Sequence, residues 1–208
     1  MVAMTLADLW VRAVAGRTLA GAATPGPQLW YLTRTTAEAA YITLTLAVAL
    51  GLLRSIATTA RERLSWVFDE LHAFIATLAG LFVLGHLATI ALDSYVPFTL
   101  KNIIVPGPEP YRAPLAINLG IFAMYAMALI LLSSWLRRFI PHRLWRLIHY
   151  ASFVAFVLVT IHGWFVGSDV NEPWQRAIYG GAVAGIGFLV LMRLLPPRAA
   201  RQALAPDR

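Results

Sequence analysis

Two long apolar stretches of this chain each begin and end on a histidine: His72 to His86 (HAFIATLAGLFVLGH) and His149 to His162 (HYASFVAFVLVTIH). Five histidines occur in 208 residues, and four of them sit in these runs of Leu, Val, Ala, Phe, Ile, Thr and Gly. An ionisable side chain is costly to keep inside a segment fit for a membrane, so each of the four is a candidate for function. In an ideal helix, a separation of 14 residues returns a side chain to within roughly 40° of its starting face and carries it roughly 21 Å along the axis. His72 and His86 therefore project the same way at two depths. The second pair is one residue closer, with a rise of roughly 19.5 Å and a rotation near ~220°. That spacing predicts overwinding or a kink between His149 and His162.

Two helices that each present an imidazole at two matched depths can clamp two flat cofactors, one above the other. Haem with a histidine on each face suits such an arrangement; its iron is then six-coordinate, fit for passing electrons and closed to oxygen. A single histidine in an apolar helix reads as a hydrogen-bonded packing residue, whereas four at matched depths point to metal or haem. Zinc or copper would gather its ligands at one depth, which these spacings forbid.

The spacings His-x13-His and His-x12-His on two membrane helices resemble the ferric reductase-like transmembrane domain, shared by ferric reductases, NADPH oxidases and the membrane subunit of the bacterial methionine sulfoxide reductase system. The phrases LWYLTRTTAEAAY, SSWLRRFIPHRLWRLIHY and HGWFVGSD resemble the short stand-alone bacterial members. The likeness runs from about residue 29 to about residue 192. It implies an all-α membrane protein with two stacked b haems between the second and fourth spans, held by His72 with His149 and by His86 with His162. Arg34 and Arg54, at opposite ends of the first span, resemble arginines that hold haem propionates in NADPH oxidases. Arg146, one turn before His149, is a further propionate candidate. Equally, these are snorkelling arginines, or for Arg34 an i,i+4 pair with Glu38.

Composition agrees with a membrane setting: 59% of residues are hydrophobic and only 13% charged, the balance of an integral membrane protein. The net charge of +7 falls at the ends of apolar runs and forms no continuous stripe, which argues against nucleic acid. With no cysteine, thiolate ligation of haem, covalent c-type attachment, iron–sulfur clusters and disulfides are excluded.

Five spans of about 20 residues are expected, from Thr35 to Leu53, Leu64 to Leu92, Ala113 to Leu136, Leu144 to Val166, and Trp174 to Leu195. They make one transmembrane domain over residues 33–195, preceded by a juxtamembrane segment (1–32) and followed by a tail (196–208). The first segment is no secretory signal, because Asp8, Arg12 and Arg17 interrupt it. Ala3 to Val14 reads as an interfacial helix or a frayed tail, and Gly21 to Pro27 as a boundary. Arg54, Arg61, Arg63, Arg137, Arg138, Arg143, Arg146, Arg193, Arg198, Arg201 and Arg208 share one side, against Lys101, Arg112 and Arg176 opposite. The positive-inside rule then puts the N-terminus outside and the C-terminus in the cytoplasm of a bacterial inner membrane. Arg12, Arg17 and Arg34 pull the other way.

Most aromatics read as interface anchors: Trp66, Trp135 and Trp145 inside, Trp30, Tyr31, Tyr95, Tyr111, Trp164 and Trp174 outside. Trp164 could also cover the outer haem edge. Gly80, Gly85 and Gly163 could make room for a porphyrin or for close helix packing. His142, in a basic loop, reads as solvated. The loop from Asp93 to Arg112 carries enough apolar residues to fold as a cap over the outer haem, and could be where an acceptor docks.

No Gly-rich phosphate loop follows a strand, and only 13 residues follow Leu195, so electrons are expected from a separate flavin, flavoprotein or quinol. The expected function is electron transfer across the membrane to an acceptor outside: ferric iron, a periplasmic redox protein or oxygen. The rival reading is a haem-binding anchor or assembly subunit without turnover; a transporter with histidine proton relays would not need matched pairs. From the arginine distribution, a reporter fused after Arg208 is expected to be cytoplasmic and a tag near Glu109 to be accessible from outside. The opposite labelling pattern would invert the topology.

Overall fold

The structure, a computed structural model, describes residues 28–56, 65–93, 98–108 and 113–194. The N-terminal segment with Arg12 and Arg17, residues 57–64 with Arg61 and Arg63, Tyr95, Tyr111, Arg112 and residues 195–208 lie outside the described residues. The described elements are all helices: α1 (Gln28–Ile56), α2 (Ser65–Leu92), a short α3 (Leu100–Ile104), α4 (Pro114–Trp135), a 3₁₀ turn (Arg137–Phe139), α5 (His142–Val166) and α6 (Pro173–Leu194). No strand occurs among the described residues.

Five of these helices are long and apolar enough to cross a bilayer, and the protein is a multi-pass membrane protein. Helices span because every backbone amide finds its partner within the segment, which hydrocarbon demands. The sequence-based boundaries hold for four spans to within about two residues, and the first extends further at both ends. Gln28 to Arg34 are therefore helical. Threonines are tolerated in α1 because their hydroxyls bond back to carbonyls one turn earlier: Thr33 to Leu29, Thr43 to Ala39 and Thr45 to Tyr41. Many large apolar side chains stay exposed, among them Phe74, Leu84, Leu132, Phe165 and Phe188, as lipid-facing positions should be.

Packed neighbours run α1 with α2, α2 with α4, α4 with α5 and α5 with α1, closing a ring of four, while α6 lies against α1. The two histidine helices, α2 and α5, are diagonal in this ring and do not pack extensively on each other. The core gathers on α1: Tyr41, Leu44, Val48 and Leu52 meet Ala79, Met127, Phe156, Tyr179 and Ile186. Tyr41 is stacked on Tyr179, with ring centres 4.2 Å apart and planes 10° apart, and on Phe156 at 6.1 Å.

The described part of the loop before α4 folds as a cap. Thr99 and Asn102 form a capping box at the start of α3, Ile103 is buried, and Gly107 exchanges two hydrogen bonds with Asn118 of α4. α5 is one continuous helix from His142 to Val166, across the stretch where the histidine spacing predicts overwinding or a kink. The rotation between His149 and His162 is absorbed by their surroundings: His149 faces α2, while His162 is taken up by α4.

Tyr41 is 1% exposed and its ring joins three helices. Tyr41→Ala is expected to cost about 3 kcal/mol, as truncating a buried aromatic does. Thermal unfolding of the detergent-solubilised protein would show a clear drop in Tm; an unchanged Tm would mean that α1 is not the centre of the core.

Candidate functional site

Three of the four histidines in the spans are held by the backbone of a neighbouring helix. His86 Nδ1 lies 3.0 Å from the Thr33 carbonyl, His72 Nδ1 lies 2.9 Å from the Ala47 carbonyl, and His162 Nδ1 lies 2.9 Å from the Ala116 carbonyl. A carbonyl can only accept, so in all three rings Nδ1 carries the proton and donates it. The lone pair of a neutral imidazole is then at Nε2. His149 differs: its Nδ1 is enclosed and has no hydrogen-bond partner.

The four fall into two sets at the two ends of the ring. Toward the end that carries Arg54, Arg137, Arg138, Arg143 and Arg146, the basic end, His72 and His149 face each other with ring centres 5.9 Å apart and planes at 63°. Toward the far end, His86 and His162 line one cavity of about 230 Å³. Its wall comes from α1, α2, α4, α5 and α6, and Phe98, Asn102 and Ile103 of the cap close over it.

Two glycines that sequence reasoning passed over serve the histidines directly. At Gly120 of α4 a Cβ would stand between 2.5 and 2.9 Å from three atoms of the His162 ring, so the imidazole occupies the space a side chain would need. Gly51 of α1 meets the His72 ring, its missing Cβ lying 3.4 Å from Cε1. The glycines singled out in sequence instead meet neighbouring helices: Gly80 faces Leu131, Gly85 faces Thr36, and Gly163 is covered by the Tyr179 hydroxyl. Spacing within α2 and α5 cannot reveal Gly51 and Gly120, because they lie on other helices.

The arginines stand as follows. Arg34 lines the far cavity and is ion-paired with Asp169, which follows α5. Its partner is thus Asp169 and not Glu38, because the loop after α5 passes the start of α1. Glu38 also lines this cavity, and both its carboxyl oxygens are enclosed without a hydrogen-bond partner. Arg54 bonds Asp69 at 3.1 Å, tying α1 to α2 one turn before His72. Arg146 is exposed on the first turns of α5. Trp164 is 41% exposed and packs edge-on against Tyr179 at 6.1 Å, outside the residues that wall the cavity.

Among the described residues no group of three or more His, Cys, Asp or Glu gathers where it could hold a bare metal ion. The histidines stand as two separated pairs, each with an imidazole from α2 and one from α5. His72, His86 and His162 each offer a free Nε2 lone pair, the atom through which an imidazole ligates a metal.

Neither the curated proteins nor the solved structures contain a match to this chain. The family described as the ferric reductase like transmembrane component matches residues 36–160, which include His72, His86 and His149. The match covers more than half of the chain and takes in most of the four-helix ring, and the protein belongs to the ferric reductase-like transmembrane family.

Proposed function

We propose that this protein carries electrons across the membrane through two b haems, one held by His72 and His149 near the basic end and one by His86 and His162 near the far end. The observation that carries this reading is the set of backbone carbonyls fixing Nδ1 of His72, His86 and His162. A metal-binding histidine usually spends its second ring nitrogen in this way, which fixes the tautomer and aims the ring.

The residues present fit the group. Two imidazoles across one metal ion, each bonded at about 2 Å, have ring centres roughly 6 Å apart, close to the 5.9 Å between His72 and His149. Gly120 clears the space in which the His162 ring sits, and the separation of α2 from α5 leaves their histidines facing across a gap instead of packed together. Haem bound by a histidine on each face is six-coordinate and exchanges one electron at a time.

The chain's own work is to position and to insulate. α1 and α4 hold the rings through their backbones; the Tyr41 core and the lipid-facing side chains keep water out. Arg34 at the far cavity, and Arg54 and Arg146 at the basic end, supply positive charge where propionates would reach the surface, the first two with an aspartate already sharing the guanidinium. A separate donor, a reduced flavoprotein or a membrane quinol, delivers electrons at the basic end. An acceptor on the far face, whether ferric iron, a redox protein or oxygen, takes them beneath the α3 cap.

Acid-acetone extraction of the purified protein is expected to return about two non-covalent haems per chain, one for each histidine pair. A value near zero overturns the reading. His72→Ala and His149→Ala should remove one spectral component, and His86→Ala and His162→Ala the other; loss of different components within a pair would overturn the pairing.

Gly120→Val provides a test that spares the ligands. The added side chain must displace the His162 ring, so the variant is expected to lose the same component as His162→Ala and to keep the other. Retention of both components, with unchanged haem content, would show that Gly120 has no part in placing this ligand.

A further inference from the structure

Three tryptophans belong to the basic end, and they are not alike. Trp66 is 67% exposed and Trp135 is 81% exposed, as expected of anchors at a membrane surface. Trp145 is turned inward. Its Nε1 is enclosed with no hydrogen-bond partner, although an anchoring indole would direct that N–H toward headgroups and water. Its ring is instead stacked on His149, with centres 5.1 Å apart and planes 25° apart.

Ring contacts continue in both directions, tilted on one side and edge-on on the other. His142, exposed at the start of α5, lies 5.5 Å from the Trp145 ring at 31°, and on the other side His149 faces His72 at 5.9 Å. Positions 142, 145 and 149 recur at three and four residues, so they share one face of α5. The guanidinium of Arg137 lies 5.3 Å from the Trp145 ring centre, within reach of a cation–π contact. An unbroken series of conjugated rings thus runs from an exposed, positively charged surface to the histidine pair of that end.

We propose that Trp145 is the bridge by which electrons enter at the basic end, coupling a donor docked against His142 and Arg137 to the iron held by His149. This rests on the proposed haem at His72 and His149. Each event moves one electron: a reduced flavin at the surface loses it, ferric iron becomes ferrous, and no bond or proton changes at the indole, which provides electronic coupling and is not itself oxidised. Acting through His149, Trp145 is a positioning and coupling residue. Arg137 and its neighbours suit a donor that presents negative charge, and such charges raise encounter rates at low salt.

The test uses the full-length, haem-loaded protein in liposomes, with photoreduced flavin mononucleotide as the donor supplied on the basic side. Trp145→Leu removes the conjugated ring, Trp145→Phe keeps one, and Trp135→Leu removes an exposed tryptophan outside the stack. Expected are an entry rate about tenfold lower in Trp145→Leu, near-native rates in Trp145→Phe and Trp135→Leu, and unchanged haem content and midpoint potentials in all three. A native rate in Trp145→Leu overturns the bridge. So does a slow Trp145→Leu whose haem content or potential has also moved, since that marks a purely structural role. Should Trp145→Leu fail to accumulate, Trp145→Met, which keeps bulk without a conjugated ring, takes its place: an entry rate about tenfold lower at unchanged haem content and potential supports the bridge, and a native rate overturns it. Absence of haem from the wild-type protein would instead be a failure of the proposed function.

Discussion

The hydrogen bond from a histidine Nδ1 to a main-chain carbonyl is the interaction on which this arrangement depends. The Thr33, Ala47 and Ala116 carbonyls lie in helical segments, and each oxygen has a second lone pair to offer. No side chain supplies the acceptor, so the ring orientation is tied to the register between helices. Sliding α2 along α1 by one residue would break both of its anchors together. Gly51 and Gly120 belong to the same device, since a ring can lie against a neighbouring helix only where that helix has no Cβ in the way.

Against that backbone scaffold, the polar side chains near the site divide by end. At the far end, Arg34 meets Asp169 across the start of α1 and the exit of α5, and Glu38 stays enclosed in the cavity wall. At the basic end, Arg54 meets Asp69 in the open, with exposures of 45% and 61%. An exposed pair of this kind contributes little to stability. The two ends of the bundle thus present different polar surfaces.

Much of this could be read from the sequence because the membrane limits what a chain may do. An apolar run of about 20 residues can hardly be anything but a helix, and a histidine inside one calls for a reason. Positions along one helix follow from its period, so the two depths in α2 were legible. Relations between helices were not. Arg34 finds a partner 135 residues away; Gly120 lies on a helix whose own pattern is featureless; Trp145 differs from Trp66 and Trp135 only in the direction its ring faces. The overwinding or kink expected between His149 and His162 follows from placing both on one face of α5; which helix each ring meets, α2 for His149 and α4 for His162, is a relation between helices that spacing does not carry.

The order of the helices bears on how the molecule comes together. α1 with α2, and α4 with α5, are hairpins of neighbouring segments, and they form the most extensive packing in the protein. Every carbonyl anchor stays inside a hairpin: His72 and His86 are aimed by α1, and His162 by α4. The rings of His72, His86 and His162 are thus oriented by contacts within one half, and contacts local in sequence favour fast folding. Both histidine pairs, by contrast, straddle the seam between halves. A ligand held by both members of a pair would act as a clasp, its binding free energy adding to the cohesion of the whole bundle in proportion to the logarithm of its free concentration.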